Sequence, residues 1–147
     1  MKTFDASGFS ISFPETRTMQ QNVFGAQLIL FSPQETWDKV REFVGIVSET
    51  LPSDMSVDNY YAMIVKPQIN LNIKDYTEIS NETITLNGVA AKKIVYKGTQ
   101  VNMPLQRIQV LAIKNKMVYI VTYTATQETF TTLEKDAETI VDSFTVK

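Results

Sequence analysis

The chain has 147 residues and a mass of 16.7 kDa, with 16 acidic and 14 basic side chains and a formal net charge of −2. It contains neither histidine nor cysteine. This composition excludes a Ser-His-Asp triad, an imidazole or thiolate metal site, a cysteine nucleophile and a disulfide bond. The length predicts one domain, and 44% hydrophobic with 20% charged residues is typical of globular proteins.

The charge distribution argues against a nucleic-acid partner, because such proteins usually carry a basic patch and the sequence pI here is about 5.2. We interpret the later cations as solvated strand ends: Lys92, Lys93, Lys97, Arg107, Lys114 and Lys116. No apolar run approaches the roughly 18 residues of a membrane-spanning helix. The first five residues lack the features of a signal peptide, which predicts a cytoplasmic protein if Met1 is the true start and leaves a removed leader open.

The first third of the chain predicts short strands. Residues 9–13 alternate apolar and polar side chains, and residues 26–31 are more uniformly apolar. The polar stretch 16–22 is compatible with a strand or a loop. We predict a loop or a short helical turn at 35–41 and a strand at 42–50.

A helix is predicted to follow residues 52–56, where Ser53 or Ser56 can accept hydrogen bonds from the exposed backbone N–H groups of the first turn. Its buried stripe is Val57, Tyr60, Tyr61 and Ile64. Pro67 should kink or end this helix, because proline has no backbone N–H to donate.

A dense β region comes next. Residues 76–86 and 89–96 flank Asn87-Gly88, the strongest short hairpin signal, and residues 106–113 and 117–124 form a second predicted pair. The second pair is apolar on both faces, which predicts that both faces are covered.

The chain closes with an amphipathic helix whose apolar stripe is Phe130, Leu133, Ala137, Ile140 and Phe144. Together these elements predict an α+β fold, a mainly antiparallel sheet with helices over both faces. If the last helix packs on the sheet, Leu133→Ala should cost about 2–5 kcal/mol of stability.

The segment 84–96, with its Asn-Gly turn and final tyrosine, resembles the PsbP/DcrB-like family. Further similarity lies in residues 9–14, 103–105, 118–126 and 142–144. The resemblance covers most of the chain and implies a single domain over residues 1–147 with an α/β/α sandwich fold. Relatives of this kind include photosystem-associated proteins, bacterial envelope proteins and a nuclear import factor that binds a small GTPase.

The resemblance implies a non-enzymatic, extracytoplasmic protein-binding or assembly module, in the periplasm or cell envelope. Peripheral membrane association would then come from a removed or lipidated leader. The alternatives are an intracellular regulator of the same fold that binds a small GTPase, and a small ligand carrier or hydrolase that uses carboxylates. We predict no cofactor and no metal.

The only acid–base tools are carboxylate pairs, Asp54 with Asp58 and Asp75 with Glu78. Capping and solvation explain both pairs, and the first lacks the glycine turn and terminal glutamate of a calcium-binding EF-hand loop. We therefore assign no catalytic and no metal-binding residue.

The candidate contacts with a protein partner are aromatic and loop residues. The single tryptophan is a good interface anchor, a pair of adjacent tyrosines offers one outward ring, and residues 98–104 are predicted to form a long polar connection. The residues chosen for this role are Trp37, Tyr60, Gln100, Asn102 and Met103.

Overall fold

The computed structural model describes residues 1–23, 25–32 and 42–147, except for the side chains of residues 132 and 133. The predicted loop or turn at 35–41, and Trp37 within it, lie outside the described residues. The side chain of Leu133, which is predicted to be buried, also lies outside the described part of the chain.

The described residues form ten strands. They are β1 (Lys2–Asp5), β2 (Phe9–Phe13), β3 (Thr18–Val23), β4 (Ala26–Phe31), β5 (Phe43–Thr50), β6 (Lys74–Leu86), β7 (Val89–Gln100), β8 (Met103–Lys114), β9 (Met117–Thr126) and β10 (Thr145–Val146). Seven form one sheet in the order β3-β4-β5-β9-β8-β7-β6, and β1, β2 and β10 form a second. Every pairing is antiparallel, which confirms the predicted mainly antiparallel sheet.

The helical residues are α1 (Val57–Tyr60), a π-helical turn (Tyr61–Val65), α2 (Lys66–Asn72) and α3 (Phe130–Asp142). Ser56 caps α1, since its hydroxyl accepts from the N–H of Asn59 at 3.1 Å. Of the two effects expected of Pro67, a kink or an end of the helix, the end is wrong. Pro67 stands in the first turn of α2, directly after the π-helical turn, and the helix continues to Asn72.

The connection between β7 and β8 is shorter than predicted. Gln100 pairs with Met103, and only Val101 and Asn102 lie between the strands. Both have positive φ, 48° and 62°, as a type I′ hairpin turn requires. The expected long connection at 98–104 is therefore wrong, because its flanking residues continue the hydrogen-bonded ladder.

The core consists of two apolar clusters separated by the large sheet. Val110 belongs to the cluster that contains α3 and β2, whereas its neighbour Leu111 packs with the helical segment 57–72. Successive side chains of a strand point to opposite faces, so β8 contributes to both clusters. In the first cluster, the rings of Tyr123 and Phe130 lie 5.5 Å apart and join β9 to α3.

Polar contacts also fasten the helical segment 57–72 to the sheet. The Tyr61 hydroxyl donates to Glu78 Oε1 at 2.6 Å and lies 3.2 Å from the Tyr76 hydroxyl. Lys92 forms an ion pair with Asp58 at 2.9 Å and lies 5.5 Å from the centre of the Tyr61 ring. Burial, together with the bond to Glu78, raises the pKa of Tyr61 far above 10.0, and the same bond lowers the pKa of Glu78.

We predict that Leu111→Ala lowers the free energy of unfolding by about 2–5 kcal/mol, since Leu111 is fully buried under the helical segment. The matched control is Leu71→Ala, because Leu71 is 84% exposed and its truncation should change stability by less than about 0.5 kcal/mol. Urea denaturation measures both. Equal effects of the two substitutions would contradict the packing described.

We predict that Tyr61→Phe reduces the loss of stability at alkaline pH. Because the folded state raises this pKa, its contribution is complete below the unfolded pKa of 10.0 and is lost as the pH rises above it. Urea denaturation from about pH 8 to about pH 11 should therefore show a shallower decline for the variant. An identical decline in both proteins would show that Tyr61 ionises equally in the folded and unfolded chains.

Candidate functional site

A polar cavity of about 370 Å³ lies between the helical segment 57–72 and the large sheet. The helix contributes apolar and amide side chains, including Ile69 and Gln68, and the sheet contributes Gln100, Arg107 and Gln109. A polar band in the middle of a covered sheet face is unusual, because burying such groups costs free energy unless they have partners. These side chains are therefore the first candidates for ligand contact.

Arg107 is the only cation that lines this cavity among the described residues. Its Nε donates to Thr124 Oγ1 at 3.1 Å and its Nη2 donates to Gln100 Oε1 at 2.8 Å. It has no ion pair with any carboxylate in the described ranges. A half-buried guanidinium held by neutral acceptors retains donors for an anion.

Gln109 lies one cross-strand row from Arg107 and has an unsatisfied group. Its Nε2 donates to Thr122 Oγ1 at 3.2 Å, while its buried Oε1 has no partner in the described part of the chain. A buried polar atom without a hydrogen bond costs about 1–3 kcal/mol. The cavity therefore contains a side chain that a polar ligand could satisfy.

An apolar cavity of about 430 Å³ adjoins the polar one on the same sheet face. Ile29 and Phe31 of β4 and Phe43 and Gly45 of β5 line it, and Val47 lines both cavities. Gly45 leaves open space at the floor of the cavity because it has no side chain. A Cβ added there would meet nothing closer than Phe43 Cε2 at 3.9 Å. The two cavities thus share Val47 in their linings, and one is apolar whereas the other is polar.

Tyr60 corrects one prediction. It is only 1% exposed, so it offers no surface to a protein partner, and we withdraw it as an interface residue. Its hydroxyl donates to Glu49 Oε1 at 2.6 Å at the end of the polar cavity. Burial and this hydrogen bond raise the pKa of Tyr60 well above its usual range, so the group is a neutral donor.

The structure brings three other predicted partner contacts together, since Gln100, Asn102 and Met103 form the tip of the β7–β8 hairpin. At this tip Val101 is 91% exposed. Leu71 near the end of α2, 84% exposed, belongs to the same end of the molecule, because Lys74, three residues later, pairs with Thr99 of β7. We call Leu71 and residues 100–103 the hairpin end.

The carboxylates considered for catalysis have structural contacts. Asp58 pairs with Lys92, and Glu78 accepts from Tyr61. In the described ranges no group of three or more acidic side chains could hold a metal ion.

Sequence reasoning missed Arg107, which we had assigned to the solvated strand ends. It lies inside β8 between Gln106 and the buried Ile108. The available signal was its register, because Arg107, Gln109 and Leu111 alternate onto a face that the apolar pattern predicts to be covered.

Comparisons with solved structures show the fold. LpqN of Mycobacterium tuberculosis, described as involved in cell envelope biogenesis, has 12% identity and a TM-score of 0.77, over 99% of this chain and 91% of that one. CyanoP of Synechocystis sp. PCC 6803 has 13% identity and a TM-score of 0.67, over 99% and 92%. PA94 of Pseudomonas aeruginosa, a protein of unknown function, has 15% identity and a TM-score of 0.69, over 97% and 94%.

Within the described ranges, no helix has both the length and the apolar character needed to cross a membrane.

Comparison of the sequence with known families gives a match over nearly the whole chain. No curated protein sequence matches the chain significantly. The profile of the family described as PsbP-like protein, however, matches residues 1–146, in agreement with the resemblance carried by the Asn87-Gly88 hairpin. The chain therefore belongs to the PsbP-like family.

Proposed function

We propose that this protein is a non-enzymatic, extracytoplasmic protein-binding module that acts in the cell envelope. The similarity to LpqN, described as involved in cell envelope biogenesis, supports the compartment. The absence of histidine and cysteine from the sequence supports a role without catalysis. The hairpin end supports the binding role and supplies the surface.

The observation that carries the proposal is the conformation of Val101. Its φ of 48° places a β-branched residue in the left-handed region, where glycine or asparagine is far more favourable. The side chain is also 91% exposed, so it gains nothing from the core. A strained, exposed, apolar residue costs stability without a benefit to folding, and such residues cluster at functional sites.

The hairpin end is also preformed. Gln100 is tied to Arg107 at 2.8 Å, and the turn continues a ladder of paired residues. Ile73 holds α2 against β7, since any side chain at Gly98 would overlap it. A partner would thus meet a surface that requires little ordering on binding.

The layered arrangement of the sheet and helices is also part of the proposal. We infer that the chain is an α/β/α sandwich, with the helical segment 57–72 over one face of the large sheet and α3 over the other. The membership of Leu111 and Val110 in different clusters supports this arrangement. In this arrangement the tip of the β7–β8 hairpin projects from one end of the layers, where Val101 is 91% exposed.

A photo-crosslinking experiment tests the partner surface. A photoreactive amino acid at Leu71 should give one adduct of defined mass in the producing cells, whereas the same group at Met19, on the opposite edge strand, should give none. Excess purified wild-type protein should suppress the adduct. Val101→Gly should not suppress it, although relief of the left-handed strain should raise its stability by about 1 kcal/mol.

Two outcomes would overturn the assigned surface. One is the same adduct from Leu71 and Met19. The other is equal competition by wild-type protein and Val101→Gly.

Localisation separates the leading proposal from the intracellular alternative. We expect the product of the full gene, in its own cells, to be digested by external protease once the outer barrier is opened, while a cytosolic marker stays intact. A protease-protected cytosolic protein that binds a small GTPase would contradict the proposal and favour the alternative.

A further inference from the structure

We propose that the polar and apolar cavities together form one binding site for a single-chain fatty acid, whose carboxylate pairs with Arg107 and whose chain lies over Gly45. This site shares Gln100 with the hairpin end but binds its ligand through other residues. It assigns to the protein a small-molecule ligand in addition to the proposed partner.

The strand register places the charged and apolar ends of this site on a straight path across the sheet. Arg107 of β8 pairs with Thr124 of β9, which pairs with Phe43 of β5, which pairs with Phe31 of β4. All four side chains therefore lie on the same face. Neighbouring strands lie about 4.7 Å apart, so the three spacings from β8, which carries Arg107, to β4, which carries Phe31, amount to about 14 Å.

The cavity chemistry changes along this path. Next to Arg107 the face presents the hydroxyls of Thr122 and Thr124, and beyond them it is formed by aromatic and aliphatic side chains. Each cavity has a volume within the range of about 300–1,000 Å³ that small-molecule sites occupy. Val47 lines both, so a linear ligand passes from one to the other without leaving the protein surface.

Charge complementarity selects a carboxylate for the polar end. Arg107 has donors that Thr124 and Gln100 do not use, and it has no carboxylate partner in the described ranges. Glu49, which also lines the polar cavity, lies six residues along β5 from Phe43, and its Oε1 accepts from Tyr60. No ion pair joins Glu49 to Arg107 in the described ranges.

Gln109 supplies a second donor. Oxygen and nitrogen of a side-chain amide are assigned from their hydrogen bonds. If the Gln109 amide is turned by half a rotation, its Oε1 accepts from the Thr122 hydroxyl and its NH₂ group faces the cavity, which removes the unsatisfied oxygen. A carboxylate would then receive hydrogen bonds from both Arg107 and Gln109.

Gly45 makes room for the acyl chain. It pairs with Ile29 on one side and with Thr122 on the other, and any larger residue would fill the floor of the apolar cavity. The shape and polarity thus fit one apolar chain with one anionic end, because Arg107 is the one cation among the described residues that line the two cavities and the far wall is apolar.

Isothermal titration calorimetry with laurate, kept below its micelle-forming concentration, tests the proposal on the purified full chain. We expect saturable binding of one laurate per protein. Arg107→Gln should weaken binding by at least about tenfold, since it removes a charge-assisted hydrogen bond. The matched control is Lys97→Gln, on the neighbouring strand but the opposite face, which should bind laurate as wild type does.

The apolar half has its own variant. Gly45→Leu should abolish measurable laurate binding while the melting temperature stays near that of wild type, because the added side chain enters an open space. Lauryl alcohol and dodecyltrimethylammonium test the charge with the wild-type protein alone, so the test survives if Arg107→Gln does not fold. Both should bind at least about tenfold more weakly than laurate.

Absence of laurate binding by wild type overturns the proposal. So does equal binding of laurate and lauryl alcohol, or unaltered binding by Gly45→Leu. Binding only above the micelle-forming concentration would show a detergent effect and would also overturn it. None of these results bears on the crosslinks from the hairpin end, so the two proposals fail independently.

Discussion

The two-sided burial of strands β8 and β9 is the constraint on which the rest of this structure depends. Val110 and Leu111 are adjacent in sequence, point to opposite faces and are both almost fully removed from water. Such a strand is stable only if other elements cover each face. Leu111 packs in the cluster of the helical segment 57–72, and Val110 packs in the cluster that contains α3 and β2.

The same constraint explains why the candidate ligand site lies where it does. The helical segment 57–72 contacts the strands β6 to β8, while β4 and β5 extend the face beyond it. The polar side chains of Arg107 and Gln109 lie at the border between these two areas. A sheet face on which a polar band adjoins an apolar cavity is able to hold a ligand that has a polar end and an apolar chain. On the opposite face the buried polar side chains already have partners, since Arg17 pairs with Asp136 at 3.0 Å and the Tyr123 hydroxyl donates to Glu42.

Sequence reasoning succeeded where local chemistry is specific. Asn87-Gly88 predicted a tight turn, and both residues have the required positive φ. It failed at the next hairpin, where Val101 occupies a left-handed position that its side chain disfavours, so no local signal marked the turn. It also failed to predict that the helix continues past Pro67, which stands in the first turn of α2 after the π-helical turn. In both places the surrounding pairing and packing overrode the local preference.

The amino-acid sequence by itself determined which strands are buried on both faces, where the Asn-Gly hairpin turns, which family the chain resembles and which catalytic groups it lacks. These properties depend on side-chain identity and on the two-residue period of a strand. Only the tertiary structure decided that Tyr60 and Tyr61 are both buried, that Arg107 faces a cavity and that Val47 lines two cavities. Those facts depend on which strands become neighbours, and the pairing of β5 with β9 brings together distant residues such as Phe43 and Thr124.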